Sequence, residues 1–292
     1  MEAAATLAVT GSAGGLGGRV AARLAGRGVA QRLIVREPAK APVHEGVEIA
    51  VASSYGVASE MRDALSGVKT LYMVSGREAP ERVGEHRIAI DSAKTVGVER
   101  IVYVSFLGAD PEATFTFARD HWATEEAIRA SGLAFTFLRS SLYADFMPVF
   151  AGPERTIRGP GGSGRFAPVA RDDLADAAVA VLTADGAHDG RTYELTGPEL
   201  LTLAEVAARL SAYTGREYRY EEETVEQARE SRRDLGLPDP IVEGMISSYL
   251  AIADGSLEVR TDAVAELAGH EPLALEGCFE ASPELLATAG PA

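Results

Sequence analysis

A glycine-rich turn near the beginning of the chain constrains its fold more than any other feature. Residues 7–18 read LAVTGSAGGLGG, an apolar run that contains three regularly spaced glycines, Gly11, Gly14 and Gly17, and precedes a helical pattern over 19–27. A tight turn from a strand into a helix needs residues without a Cβ atom. The N–H groups at the start of such a helix can hold a pyrophosphate, which reaches the backbone only where side chains are absent.

We interpret this turn as a dinucleotide-binding loop, because it lies between a predicted strand and a predicted helix. A merely flexible loop is the alternative, since glycine spacing alone is weakly specific. The loop residues that we assign to cofactor binding are Gly11, Ser12, Gly14, Gly15, Leu16 and Gly17.

Apolar runs and helical patterns alternate after this turn. The strand-like runs cover 32–35, 47–51, 70–74, 100–105 and 134–139. The helical patterns between them cover 59–65, 85–96 and 117–131. Such alternation predicts an α/β protein with a Rossmann-like, doubly wound parallel sheet. The apolar runs are nearly unbroken, which is typical of strands buried on both faces.

The pattern changes after about residue 140. The later signals are a glycine-rich loop at 159–164, a helix at 172–182, a strand at 192–195 and a capping-box sequence at 202–205. We interpret the acidic residues 221–223 as a solvated charge run at a helix start. An amphipathic stripe of Met245, Ile246 and Tyr249 follows. We predict a nucleotide-binding domain over 1–150, and over 151–292 a mixed region that completes the sheet and forms a small, mostly helical substrate lobe.

Charge and composition argue against several classes of protein. The formal net charge of −15 disfavours nucleic-acid and anionic-membrane partners, which need clustered cations. Cys278 is the only cysteine, and the histidines show no metal-ligand spacing, so we predict no disulfide and no metal site. No apolar run approaches the ~20 residues that span a bilayer, and no leader pattern precedes the first strand. We expect a cytoplasmic monomer or homodimer that binds a small molecule.

The residue that follows the second predicted strand indicates which dinucleotide is bound. An acidic side chain at this place binds the ribose 2′-hydroxyl of NAD. This chain has Arg36 there, with Lys40 four residues further on. Arginine suits a 2′-phosphate and can stack on adenine, so we predict NADPH. Glu37 is a contrary feature, and a solvated surface arginine is the alternative.

Stretches along nearly the whole chain carry a family resemblance. They are VTGSAGGLGG, LIVREPAKA, LYMVSG, HRIAIDSAKTVGVERIVYVSFLGAD, HWATEEAIRASGLAFTFLRSSLYADF, RDDLADAAVAVL and YELTGPELLTLAEVAARLSAYTG. The chain resembles NmrA-like, atypical short-chain dehydrogenase/reductase proteins, especially the quinone and azo-dye reductases. The resemblance implies a Rossmann domain, a preference for NADPH, and a substrate cleft between that domain and a C-terminal lobe.

The resemblance also implies further site residues. Those matching cofactor-lining segments are Val74, Ser75, Gly76, Ser105, Phe106 and Leu107. Residues 140–143 match a segment near the nicotinamide, which makes Tyr143 a candidate proton donor or an aromatic wall of the pocket. For Ser75 and Ser105 the alternative is a role as strand-end caps.

The usual catalytic pair of short-chain reductases is missing from the matching helix. A Tyr-x-x-x-Lys pair normally supplies a proton donor and a ribose-binding cation on one helical face. Here the corresponding residues are Phe117 and His121. One hypothesis makes His121 the general acid, since an unperturbed histidine pKa of about 6.5 suits that role. Another makes His121 a ribose ligand or a structural partner of Glu125.

These observations predict an NADPH-dependent reductase that transfers hydride to a quinone, enone or ketone of an apolar or aromatic molecule. A reduced quinone is a stabilised phenolate that water can protonate, so it needs little acid help. One alternative is a ketoreductase that tailors an aromatic secondary metabolite such as a polyketide. The other is a non-catalytic NADP(H) sensor that binds a regulatory partner.

Overall fold

The computed structural model describes residues 5–281 and Leu286. Its strands are β1 (Leu7–Thr10), β2 (Gln31–Val35), β3 (Val47–Val51), β4 (Thr70–Val74), β5 (Arg100–Phe106), β6 (Ala134–Ser140), β7 (Thr156–Gly159), β8 (Arg165–Phe166), β9 (Arg191–Leu195), β10 (Leu201–Thr202) and β11 (Arg219–Glu222). Its helices are α1 (Gly15–Gly26), α2 (Ala58–Leu65), α3 (Arg82–Thr95), α4 (Thr116–Ser131), α5 (Met147–Ala151), α6 (Arg171–Leu182), α7 (Leu203–Thr214), α8 (Val225–Ser231), α9 (Asp239–Ala253), α10 (Ala263–Ala268) and α11 (Leu275–Ala281). None of these helices is both long and apolar enough to cross a membrane, within the residues that the structure describes.

The main sheet places a topological switch point beside the first strand. Within the described residues it contains seven strands, in the order β3-β2-β1-β4-β5-β6-β9. Strand β1 pairs in parallel with β2 on one side and with β4 on the other. The pairs β2–β3 and β4–β5 are also parallel. The strand order therefore reverses between β1 and β4, and ligands of such sheets bind in the crevice at the carboxyl ends of the strands there.

Apolar residues of the central strands hold these strand ends in place. All four residues of β1 are buried, and Tyr72, Tyr103 and Phe137 are fully buried on the strands that follow it in the sheet. Met61 of α2 and Ile90 of α3 belong to the same buried cluster as Tyr103 and Phe137. Full burial of an apolar side chain such as that of Phe137 contributes about 1.5–3 kcal/mol. The polar residues that follow the strands are thus fixed by a rigid core.

The predicted fold class is confirmed, and most predicted elements lie within a few residues of the observed ones. Strands β3 and β4 have the predicted bounds. Helix α1 begins at Gly15 rather than at residue 19, because the glycines themselves form its first turn. Helix α3 begins at Arg82, three residues before the predicted start.

The interpretation of residues 221–223 is partly wrong. Glu221 and Glu222 are exposed, as predicted, but they lie in strand β11, which pairs in parallel with β7. Glu223 is buried, and its Oε2 lies 3.1 Å from Nη1 of Arg232. Arg232 also donates to the carbonyl oxygen of Arg158 over 2.7 Å. A buried acid is tolerated here because a charge-assisted hydrogen bond compensates its lost hydration.

The chain forms two compact units that interleave along the sequence. The first takes the residues up to Phe106, with Asp120–Arg139 and Leu174–Tyr193. The second takes Leu107–Arg119, Ser140–Asp173 and the chain from Glu194 onward. The predicted division into 1–150 and 151–292 is sequential, and it remains a prediction about where the functional lobes divide. Residues 1–4, 282–285 and 287–292 of those predicted domains lie outside the described residues.

Candidate nucleotide-binding site

The glycine turn after β1 is packed too closely for side chains. Gly11 has a φ of +62°, a left-handed conformation that favours glycine, and a Cβ there would lie 3.0 Å from Cβ of Val74. A Cβ on Gly17 would lie 2.4 Å from the carbonyl oxygen of Gly11. Gly14 donates its N–H to that same carbonyl oxygen over 2.8 Å and directly precedes α1. The turn therefore brings the unpaired N–H groups of α1 to the carboxyl end of β1.

A cavity of about 460 Å³ lies at the carboxyl ends of β1 to β4. Its walls include Thr10 and Gly11 after β1, Arg36 after β2, Tyr55 after β3, and Ser75 and Gly76 after β4. This is the crevice that the reversed strand order predicts. Its volume is typical of cavities that hold small-molecule ligands.

The cavity contains part of the predicted cofactor set. Of that set, the residues that line it are Gly11, Arg36, Val74, Ser75 and Gly76. Ser12, Gly14, Gly15, Leu16 and Gly17 form the adjoining turn and the first turn of α1. Among the described residues, Lys40, Ser105, Phe106 and His121 do not line the cavity, and Leu107 and Tyr143 belong to the second unit. The part that each plays in cofactor binding remains a prediction.

Arg36 lines the cavity, whereas its neighbours Glu37 and Lys40 form an ion pair with each other. Arg36 is exposed at the end of β2 and lines the cavity. Glu37 instead pairs with Lys40, whose Nζ lies 2.9 Å from Oε1 of the carboxylate. The hydrogen bond and charge of Lys40 lower the pKa of Glu37. The contrary acidic residue is thus paired with Lys40 outside the cavity lining, whereas Arg36 and Arg77 are the cations that line the cavity in the described part of the chain.

Hydrogen bonds of Tyr55 and Thr10 connect the carboxyl ends of β1, β3 and β4. The hydroxyl of Thr10 accepts the N–H of Val74 over 2.9 Å and donates to the carbonyl oxygen of Tyr72 over 3.2 Å. The Tyr55 hydroxyl lies 2.6 Å from Oγ1 of Thr10 and 2.7 Å from the carbonyl oxygen of Val74. Burial raises the pKa of Tyr55, so its hydroxyl remains a donor. Sequence analysis did not single out either residue, because nothing local marks a contact between positions 45 residues apart.

His86 of α3 lies beneath the segment that follows β4. Its Nε2 accepts the N–H of Gly76 over 2.9 Å, and its Nδ1 lies 2.8 Å from Oγ1 of Thr124. The ring is only 1% exposed, and burial together with the charge of Arg82 lowers its pKa to about 3. The sequence analysis assigned no role to His86, and it predicted no metal site at any of the histidines. Within the described residues, no group of three or more histidine, cysteine or carboxylate side chains is arranged to hold a metal ion.

His121 is buried on the next helix, α4. Its Nδ1 lies 3.0 Å from the hydroxyl of Tyr103, and its ring packs near the rings of Tyr103 and Phe106. Burial, reinforced by the charge of Arg82, lowers the pKa of His121 well below its usual value. The imidazole is therefore neutral at neutral pH. Its hydrogen-bond partner in the described part of the chain is Tyr103, and not the Glu125 that one hypothesis named.

Glu125 holds a buried charge cluster at the end of β5. Its carboxylate accepts hydrogen bonds from the Ser105 hydroxyl over 2.6 Å and from Nε and Nη2 of Arg139 over 2.8 and 2.7 Å. Arg129 lies 3.3 Å from the same carboxylate. Two arginines and a hydroxyl satisfy a carboxylate that has no exposure to solvent. The Ser105 hydroxyl is therefore engaged by Glu125.

The second unit carries Tyr143, the other candidate catalytic residue, and Phe117, which stands where short-chain reductases have their tyrosine. Tyr143 forms a bridge with Val169 and stacks at a tilt near Phe146, with ring centroids 6.0 Å apart. Phe117 occupies the space beside Gly244, where a Cβ would lie 2.2 Å from the ring. An aromatic side chain at position 117 is thus matched by a glycine on α9. These contacts show how the two aromatic side chains pack, and the part that Tyr143 plays in catalysis remains a prediction.

The fold and the glycine turn after β1 define a dinucleotide-binding protein of the Rossmann class. The chain belongs to the NAD(P)H-binding family, whose model matches residues 11–185. The matched range begins at Gly11 of the turn and extends beyond α6. The family resemblance drawn from the sequence is confirmed.

Individual relatives match the chain along most of its length. It is 32% identical over 270 residues to quinone oxidoreductase 2 of Escherichia coli K12, across 90% of this chain and 94% of that protein. It is 33% identical to the (4-alkanoyl-5-oxo-2,5-dihydrofuran-3-yl)methyl phosphate reductase of Streptomyces griseus, across 90% and 92%. The crystal structure of the NADPH-dependent quinone oxidoreductase QOR2 of Escherichia coli, complexed with NADPH, is similar with a TM-score of 0.84 at 30% identity. That match covers 94% of this chain and 99% of the other.

Proposed function

We propose that this protein is an NADPH-dependent reductase that transfers hydride to a quinone, an enone or a ketone on an apolar molecule. The observation that carries the proposal is the glycine turn, where a Cβ would collide with backbone, next to a cavity with Arg36 in its wall. The two relatives described above are named for a quinone and for an oxo-dihydrofuran phosphate. These names support the substrate class and do not identify the substrate.

The residues of the cavity fit NADPH. The side-chain-free turn and the N–H groups of α1 suit a pyrophosphate, and the Arg36 guanidinium suits a 2′-phosphate. Bound NADPH supplies a hydride. Tyr55 and Thr10 keep the ends of β1 and β4 fixed beside the bound nucleotide.

We assign the proton to solvent rather than to His121. Reduction of a quinone to a hydroquinone consumes one hydride and one proton, and the oxygen that receives the proton is a stabilised phenolate. Phe117 has no proton to donate, and His121 is neutral because burial lowers its pKa. We retain ribose orientation as the role of His121, because a neutral imidazole can still hydrogen-bond a ribose hydroxyl. Tyr143 is the remaining candidate donor for substrates that need an acid, such as ketones.

A binding and turnover panel tests this proposal. Titration calorimetry with NADPH and NADH gives cofactor choice, and NADPH oxidation is followed with quinones, enones and aromatic ketones in turn. Turnover with quinones supports the proposal, and turnover confined to aromatic ketones supports the ketoreductase alternative. Tight NADPH binding without turnover on any substrate indicates the sensor. Absence of nucleotide binding would contradict the proposed function altogether.

A further inference from the structure

One buried histidine connects the nucleotide cavity to the helix layer beneath it. Gly76 lines the cavity, and its N–H donates to Nε2 of His86 over 2.9 Å. A Cβ on Gly76 would lie 3.3 Å from the same nitrogen, so the backbone approaches the ring closely at this residue. The N–H of Gly76 in the cavity wall is therefore hydrogen-bonded to a side chain of α3, the helix beneath it.

The tautomer of His86 is set on its other side. The Thr124 hydroxyl donates to the carbonyl oxygen of Asp120 over 2.8 Å, which uses its single proton. Its oxygen then accepts a hydrogen bond from the N–H at Nδ1 of His86, 2.8 Å away. With the proton on Nδ1, the lone pair of Nε2 is available for Gly76. Thr124 thus fixes His86 in the one tautomer that can accept from Gly76.

Packing fixes the orientation of the ring as well. His86 lies edge-on between Tyr55, at 5.7 Å between ring centroids, and Tyr103, at 6.0 Å. Rotation of the ring would displace these two aromatic neighbours from a close-packed interior. Because Tyr55 itself lines the cavity, the orientation of His86 is coupled to two parts of the cavity wall.

The segment after β4 therefore has two anchors. Val74 is held through its N–H by Thr10 and through its carbonyl oxygen by Tyr55. Gly76 is held by His86, and Ser75 between them lines the cavity. Loss of one anchor would free the segment, and nucleotide binding would then have to order it at an entropic cost.

We propose that His86 is a positioning residue for nucleotide binding, which holds the cavity-lining segment of Val74, Ser75 and Gly76 through its Nε2. This inference rests on the proposed function, since the segment is taken to contact NADPH. His86 is not among the residues that line the cavity, and it acts through the backbone of Gly76.

Three variants and a control test the proposal. His86→Phe keeps a planar ring but lacks the acceptor, His86→Gln keeps an acceptor of similar reach, and Thr124→Val removes the group that fixes the tautomer. His188→Phe is the control, because His188 is likewise hydrogen-bonded to a tyrosine hydroxyl, that of Tyr193 at 2.7 Å, and does not line the cavity. Each variant is compared by thermal melting, NADPH titration and amide hydrogen exchange at Gly76.

We expect His86→Phe to weaken NADPH binding by about tenfold, the upper range for one hydrogen bond. The KM for NADPH should rise while kcat changes by less than about twofold, because only uniform binding is lost. Thr124→Val should show a smaller loss, and His86→Gln and His188→Phe should bind as the wild type does. The Gly76 amide should exchange faster in His86→Phe and Thr124→Val, and it should remain protected in His86→Gln.

Wild-type affinity in both His86→Phe and Thr124→Val would overturn the inference, as would an affinity loss in His188→Phe of the same size. If His86→Phe does not fold, Thr124→Val decides, since its side chain has nearly the same shape. A wild-type protein that binds no dinucleotide would overturn the proposed function. Gly76 exchange in the free protein then tests the anchor by itself, and an unprotected amide in the wild type overturns it.

Discussion

The carbonyl oxygen of Gly11 lies 2.4 Å from the position that a Cβ on Gly17 would occupy. The two residues bring α1 and the end of β1 into direct backbone contact, six positions apart in the chain. The N–H groups that α1 offers a phosphate depend on this contact, because it sets where they point.

Gly17→Ala should therefore destabilise the protein and impair nucleotide binding together. The added methyl forces α1 away from the turn, at a cost of about 1–3 kcal/mol in the free energy of unfolding. Gly26→Ala is the matched control in the same helix, because nothing lies within 4 Å of its added Cβ. Urea unfolding and NADPH titration of both variants measure the difference. A Gly17→Ala protein as stable as Gly26→Ala would contradict the close packing.

Arg36→Ala tests cofactor choice. If the guanidinium binds the 2′-phosphate, NADPH affinity should fall by roughly 1.5–3 kcal/mol, the range for a charged hydrogen bond, while NADH affinity stays nearly unchanged. Arg62→Ala, which removes an exposed arginine outside the cavity lining, is the charge-matched control. Equal losses for the two cofactors would indicate stacking on the adenine. No loss for either would show a solvated arginine.

His121→Ala separates a ribose-orienting role from acid catalysis. Because burial keeps His121 neutral, we expect wild-type turnover to be independent of pH through the neutral range. The variant should lose NADPH affinity and keep the shape of that pH profile. A fall in turnover of about 10²–10⁴-fold with unchanged affinity would instead identify a general acid. That outcome would also require wild-type rates that decline as pH rises.

Stability should decrease in acid because of the buried histidines. His86 has a pKa of about 3 in the folded protein and an ordinary value of 6.5, since burial and the charge of Arg82 disfavour its protonated form. Between these values the unfolded chain binds more protons, so the free energy of unfolding falls as pH falls. The stability that depends on neutral His86 is fully present above the pKa of the unfolded chain. Below that pKa, the free energy of unfolding declines by roughly 1 kcal/mol per pH unit.

Urea unfolding at several pH values between about 7 and 4 measures how the free energy of unfolding changes with pH. His86→Gln should show a shallower slope than the wild type, because one linked proton is removed. Equal slopes in the wild type and His86→Gln would contradict the neutral, buried state of His86.

Ser105→Ala tests whether the hydroxyl at the end of β5 serves the cofactor or the fold. Its 2.6 Å hydrogen bond to the buried Glu125 carboxylate predicts a stability loss of roughly 1.5–3 kcal/mol, the range for charged partners. NADPH affinity should change little if this is its whole role. A selective loss of affinity without destabilisation would support the cofactor contact that the resemblance implies.

The signals read correctly from the sequence are local ones. The glycine turn, the apolar runs and the position of Arg36 after the second strand depend on neighbouring residues, and the structure places Gly11 and Arg36 at one cavity. The charge run at 221–223 was misinterpreted because its structure depends on residues outside the run. The burial of Glu223 depends on Arg232 and on the carbonyl oxygen of Arg158, and neither partner could be identified from the run itself.

The sequence alone determined the fold class and the place of the dinucleotide loop, because steric limits at glycine and the alternation of strands and helices are properties of short segments. Only the tertiary structure decided which polar side chains meet. Tyr55 reaches Thr10 across 45 residues, and His86 reaches Thr124 across 38. The same burial that forms the core keeps His86 and His121 neutral. A pKa depends on solvent exclusion and on charges brought together by folding, and no local pattern encodes either.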